Sequence, residues 1–110
     1  MVPYRVNLGG EGEIVGVVNQ QPPWVVHPDW RSSRTGETLQ ELVAHGVDFL
    51  ICPNLPVALP DSCADEVLTN DVPVDLITFL GLGVQSNEVN RILKPGGKWI
   101  HDGLLRSVKP

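Results

Sequence analysis

Tyr4-Arg5-Val6-Asn7-Leu8-Gly9-Gly10-Glu11-Gly12-Glu13 is a short strand that runs straight into a glycine-rich turn. Glycine concentrated in this way marks a place where backbone comes close to something, either a ligand or another stretch of backbone. If the strand is the first of an open α/β sheet, its turn lies at the carboxyl end, where such sheets bind nucleotides. Glycines so spaced also make plain turns, so the rest of the chain has to decide.

Immediately beyond the turn, Ile14-Val15-Gly16-Val17-Val18-Asn19 is apolar, β-branched and too short for a helix, and reads as a second strand. A parallel pair normally needs a dozen or more residues of crossover, and little more than the glycine turn is present. Either the two strands are antiparallel, or the crossover has shrunk to about one helical turn. Gln20 to Arg34 is polar and proline-containing; within it His27-Pro28-Asp29-Trp30, with Trp24, either lines a pocket or closes over the edge of the core.

Glu37 to His45 reads as a helix, with Leu39, Leu42 and Val43 at helical spacing and His45-Gly46 closing it. Val47 to Cys52 follows as a nearly continuous apolar strand, the pattern of a strand covered on both faces. Pro53 to Asp61 is an irregular connection, and Ala64 to Thr69 reads as another strand, stopped by Asn70-Asp71-Val72-Pro73. Near Ser86, the expected N-cap, a second helix presents Val89, Ile92 and Leu93 on one face. Lys94-Pro95-Gly96-Gly97 ends it. Lys98 to His101 is expected to be the last strand, with Gly103 to Pro110 trailing away. Helices alternating with about five strands indicate an α/β layered domain.

The totals bound the function. The chain has 110 residues, 42% of them hydrophobic and 19% charged, which fits one globular domain spanning residues 1–110, free-standing or cut from a longer chain. A net charge of −5 without a basic cluster argues against unaided binding to nucleic acid or to an anionic membrane. No apolar run spans a bilayer and no cationic-then-apolar leader is present. Cys52 and Cys63 lack metal-ligand spacing and read as free thiols of a reducing compartment, hence a cytoplasmic location.

Three segments, in order, resemble class I S-adenosylmethionine-dependent methyltransferases. Leu93-Lys94-Pro95-Gly96-Gly97-Lys98-Trp99-Ile100, preceded by Arg91, resembles their approach to the fifth strand. Leu59-Pro60-Asp61-Ser62-Cys63-Ala64-Asp65-Glu66-Val67 resembles the entry to the fourth. Asn7-Leu8-Gly9-Gly10 through Gly16-Val17-Val18-Asn19 resembles an opening motif with a reduced first crossover. The resemblance implies a reduced Rossmann-like α/β fold of about five mostly parallel strands with few helices, and S-adenosylmethionine as cofactor. It would set Gly9, Gly10 and Gly12 at the methionine part, Gln20 or Gln21 at the ribose and Asn54 or a neighbour near the adenine. Asn70, Asp71 and Pro73 would lie beside the transferred methyl, with Asp71 as the base for a polar acceptor. The chain departs from the pattern at Glu11, where the family has glycine, and at Gln20, where it has an acid that takes the ribose diol. It also stops just past the fifth strand, which implies a sheet without its usual last strands.

Asn7 to Gln21 and Trp24 to Thr38 also resemble the tip domains of large bacterial secreted proteins of the RHS and contact-dependent inhibition type. That resemblance implies a delivered toxin neutralised by an immunity protein. The readings carried forward are a methyltransferase acting on a small-molecule or protein acceptor, a toxin on the same fold, and a non-catalytic interaction domain with a degenerate cofactor site. His101 and Asp102, at the end of the last expected strand, are either an acid/base pair or a solvated strand end.

Overall fold

The structure is a computed structural model that describes residues 3–76 and 83–110. Its strands are β1 (Arg5–Leu8), β2 (Val18–Gln21), β3 (Asp48–Ile51), β4 (Ala64–Thr69), β5 (Leu93–His101) and β6 (Leu104–Val108). A 3-10 turn (Pro23–Val26) and two helices, α1 (Leu39–Ala44) and α2 (Ser86–Ile92), complete the regular elements among the described residues. The strands form one six-stranded sheet ordered β3-β2-β1-β4-β5-β6, parallel throughout except for β6 against β5. The fold is therefore α/β with a mostly parallel sheet and few helices, as the alternation of elements implied.

Strand β1 is central because its side chains suit burial on both faces. Val6 and Leu8 join Val67 of β4, Trp99 of β5, Val89 and Ile92 of α2 and Val57 of the long connection in the apolar core. Burying each such side chain contributes about 1.5–3 kcal/mol. Helix α1 is fixed at its start by a capping box: Thr38 Oγ1 accepts from the Glu41 amide at 3.2 Å, and Glu41 Oε1 accepts from the Thr38 amide at 3.3 Å. Leu39 and Leu42 are buried, whereas Val43, expected on the same face, is exposed.

Several expectations need correction. The short first connection belongs to a parallel pair, and Gly9 to Val17 makes the crossover with no helix at all. Strand β2 begins at Val18 rather than Ile14; Val15 is 92% exposed, on the approach to a turn at Gly16 with φ +79°. Strand β3 lies at the sheet edge with Asp48 exposed, so its apolar run does not mean cover on both faces. Ser86 is the first helical residue and not the cap. The Asp75 carboxylate instead accepts from the Ser86 amide and hydroxyl, both at 2.7 Å, and these bonds hold the Asp75 carboxyl below its ordinary range.

The C-terminal stretch departs furthest. Lys94 to Gly97 is not a stop between helix and strand but a bulge within β5, since Leu93 pairs with Ala64 while Lys98 pairs with Glu66. The bulge is tied to the far end of the chain by Gly96 N–H to Lys109 O and Lys109 N–H to Gly97 O, at 2.8 and 2.9 Å. Residues 104–108 do not trail away. Asp102 and Gly103, with φ +50° and +82°, make a two-residue hairpin that returns β6 along β5. Six strands replace the expected five.

Candidate functional site

Running outward from β1, the chain lays β2 and β3 on one side and β4, β5 and β6 on the other. Open α/β sheets take ligands outside the carboxyl ends of the strands where the order reverses in this way. A cleft of about 290 Å³ lies there, lined from β1 by Gly9, from β2 by Gln20 and Gln21, and from the end of β4 by Asn70 and Asp71. Asn54 closes one side, and the segment after β2 contributes Trp24, Trp30, Ser33 and Arg34. A second, more open cavity of about 390 Å³ adjoins it, lined by Ile14 and Asp102 and sharing Glu13, Arg34, Asn70 and Asp71 with the first.

The glycine turn is the first surprise of the site. Each of its four N–H groups has a partner inside the protein. Gly9 donates to Gln20 Oε1 (3.0 Å), Gly10 to Asn7 O (3.0 Å), Glu11 to Glu13 Oε2 (2.7 Å) and Gly12 to Asn19 Oδ1 (3.3 Å). Glycine-rich turns bind anions through N–H groups left free for the ligand. None is left free here. Of the two readings of the turn, close approach to other protein groups is the one realised.

The side-chain amides of β2 perform half of this fastening and also bond the turn's carbonyls. Gln20 Nε2 also donates to Cys52 O at 2.6 Å, and Gln21 Nε2 donates to Gly9 O and Gly10 O at 2.9 and 2.8 Å. Both donors of Gln21 are thereby used, while among the described residues no donor meets its Oε1, on a residue that lines the cleft. Of the two candidates for the ribose position, Gln21 keeps an acceptor available and Gln20 is committed to holding β1 and β3 together.

The charges are unevenly shared. Glu11, Glu13 and Asp71 line the cleft against one guanidinium, Arg34. Arg34 pairs with Asp71 and stands 3.9 Å from Glu11, whose carboxylate accepts from the Ser33 amide (3.0 Å) and hydroxyl (2.6 Å). The hydrogen bond that Arg34 donates to Asp71, and then the Asp71 charge, raise the Arg34 pKa above its ordinary value. Glu13 is held by Asn7 Nδ2 at 2.9 Å as well as by the Glu11 amide, and neither partner carries charge. The cleft therefore carries an excess of negative charge beside two indoles, surroundings that favour a cationic ligand with an aromatic part.

Of the residues expected at a site, Gly9, Gln20, Asn54, Asn70, Asp71 and Pro73 line the cleft. Gly10 and Gly12 do not. Gly10 packs on the side chains of Asn7 and Asn19, and Gly12, at φ +90°, against Leu42 and Val47. They shape the turn from within. Trp24 and Trp30 take the pocket-lining place, whereas His27 and Asp29 are not among the residues that line the cleft. Glu13 and Arg34 were missed. Their signal was charge within loops, which sequence alone leaves indistinguishable from a solvated surface. Among the described residues no group of three or more His, Cys, Asp or Glu is arranged to hold a metal ion. No helix among them is long and apolar enough to cross a membrane.

No family model, curated protein or solved structure matches the chain.

Proposed function

We propose that the sheet is a reduced Rossmann-like methyltransferase fold and that its cleft binds S-adenosylmethionine for transfer of the methyl group to a small-molecule or protein acceptor. The observation that carries this reading is the character of the cleft at the strand-order reversal. Its carboxylates outnumber its cation, and its glycine turn has no N–H to offer an anion. Nucleotides and dinucleotides bring phosphates, which such a cleft repels. An adenosyl sulfonium brings a cation and an aromatic base, which it suits.

The residues fit that ligand in kind. Glu11, Glu13 and Asp71 favour its positive centres, and Arg34 is the partner for its carboxylate. Gln21 Oε1 accepts from a ribose hydroxyl, and Trp24, Trp30 and Asn54 suit the adenine. When bound, the cofactor supplies an electrophilic methyl group. The protein's share is positioning, with Asp71 taking the proton of a polar acceptor after its contact with Arg34 is released.

A second reading, an interaction domain without catalysis, is favoured by the internal use of the turn N–H groups and of the Gln20 amide. Calorimetric titration separates the two. Binding of S-adenosylmethionine at about micromolar Kd, with none of NAD or ATP, is expected; about −8 kcal/mol corresponds to that affinity. A folded protein that binds no adenosyl compound sinks the methyltransferase reading and leaves the interaction domain.

A further inference from the structure

Where β4 and β5 end beside the cleft, three side chains are hydrogen-bonded in a row whose direction is set at one end, and the Asp102 carboxylate stands beside the last of them. Trp99 Nε1 lies 2.9 Å from Thr69 Oγ1, and an indole N–H only donates, so the hydroxyl oxygen accepts. Thr69 is fully buried, so its own proton needs an acceptor. His101 Nδ1, 2.7 Å away, is the partner present. That assignment leaves the ring proton on Nε2, which faces Asp102 Oδ2 at 3.2 Å. The opposite tautomer would set a lone pair against that carboxylate and strand the Thr69 proton. The two ends of the row thus require the same tautomer.

The row leads to Asp71. Asp102 Oδ1 accepts the Asp71 amide at 2.8 Å, and Asp102 N–H donates to Thr69 O at 2.8 Å. Asp71 has φ +54° and Asp102 φ +50°, left-handed conformations that non-glycine residues keep only when surrounding bonds hold them. The Asp102 carboxylate is such a bond, and it sets Asp71 in the wall shared by the two cavities.

We propose that Thr69, His101 and Asp102 are positioning residues for Asp71: the Trp99 indole sets the direction of a row that ends on the Asp102 carboxylate, and that carboxylate accepts the Asp71 amide from the other side. The role in reaction rests on the cofactor reading above; the row itself does not. His101 and Asp102 then act through Asp71 and not as an acid/base pair of their own.

The test is nitrogen NMR of the His101 ring together with proton NMR of the Asp71 amide, on the full chain without cofactor. The expected wild-type result is the Nε2–H tautomer and an Asp71 amide shifted downfield by its bond to the carboxylate. Asp102→Asn leaves the Trp99 and Thr69 end of the row intact, so the ring proton is expected to stay on Nε2; a move to Nδ1 would show that Asp102 and not Trp99 sets the direction, and would overturn the proposal. Asp102→Ala is expected to lose the downfield shift of the Asp71 amide. A wild-type ring on the Nδ1–H tautomer, or an Asp71 amide unmoved in Asp102→Ala, overturns the proposal. A failed adenosylmethionine titration beside the expected spectra overturns only the cofactor reading.

Discussion

Replacing Gly10 by alanine tests whether the glycine turn is shaped from within. The residue is buried, and an added Cβ would overlap Asn19 Oδ1 and stand 2.6 Å from Asn7 Nδ2 and 2.7 Å from Asn7 Cγ. Neither asparagine has room to retreat, since Asn7 is fully buried and Asn19 nearly so. Overpacking of this kind costs about 1–3 kcal/mol. Displacing the asparagines also weakens Asn7 to Glu13 (2.9 Å) and Asn19 to Gly12 (3.3 Å), at about 1 kcal/mol each. The lower entropy of the unfolded alanine chain returns up to about 1 kcal/mol. The net expectation is a loss of about 2–5 kcal/mol, a large part of the roughly 5–15 kcal/mol of a typical domain. In urea that lowers the midpoint by about 1–3 M at an ordinary slope. Combined with Asn19→Ala, which removes the worst overlap, Gly10→Ala should cost at least about 1 kcal/mol less than alone. A loss below about 0.5 kcal/mol, or strict additivity with Asn19→Ala, would refute the reasoning.

Gln20→Glu places an acid where the resemblance expects one, yet it should not improve binding of an adenosyl ligand. A carboxylate there faces the Cys52 carbonyl that the amide now bonds at 2.6 Å, so a loss of about 2 kcal/mol in urea unfolding is expected. Glu88 is nearly buried and accepts from Arg91 at 2.5 and 3.1 Å and from the Val57 amide at 2.8 Å. The Arg91 bonds first, with the Val57 amide assisting, hold its carboxyl below the ordinary value of 4.5. With the native value depressed, the unfolded chain takes up the proton first as pH falls. The stabilisation is therefore present above about pH 4.5 and lost below it. Glu88→Gln should be less stable than wild type at pH 7, with a shallower fall of Tm toward pH 3; parallel pH curves would count against the assignment.

The elements that sequence reading locates are those whose burial follows their polarity. Val6 and Leu8 in β1, Val67 and Leu68 in β4, and Val89 and Ile92 in α2 are apolar, correctly spaced and buried. Strand β6 breaks that link. All five of its residues are exposed, including Leu104, Leu105 and Val108, so it is held by backbone pairing to β5 and has no buried face to announce it. The bulge at Lys94–Gly97 misleads for a related reason. Proline and glycine usually end an element, but here Lys109, distant in sequence, receives the displaced backbone.

Strand β2 carries the more general lesson, because there polarity and burial run in opposite directions. Asn19, Gln20 and Gln21 are all buried, a position three consecutive amides hold only when their polar atoms are bonded. Their placement directly after Val17-Val18, in a run otherwise fit for a core, was the legible sign that something nearby had unsatisfied backbone groups. The glycine turn is that something. Its N–H groups at Gly9 and Gly12 and its C=O groups at Gly9 and Gly10 are met by Gln20, Asn19 and Gln21, Asn7 O and Glu13 take the N–H groups of Gly10 and Glu11, and together these bonds remove the turn's capacity for an anion. What glycine spacing alone cannot decide, whether the turn faces ligand or protein, is thus decided by side chains about ten residues later along the chain. The ligand preference follows from those amides: with the turn closed to anions, the net effect of Glu11, Glu13, Arg34 and Asp71 governs what the cleft admits.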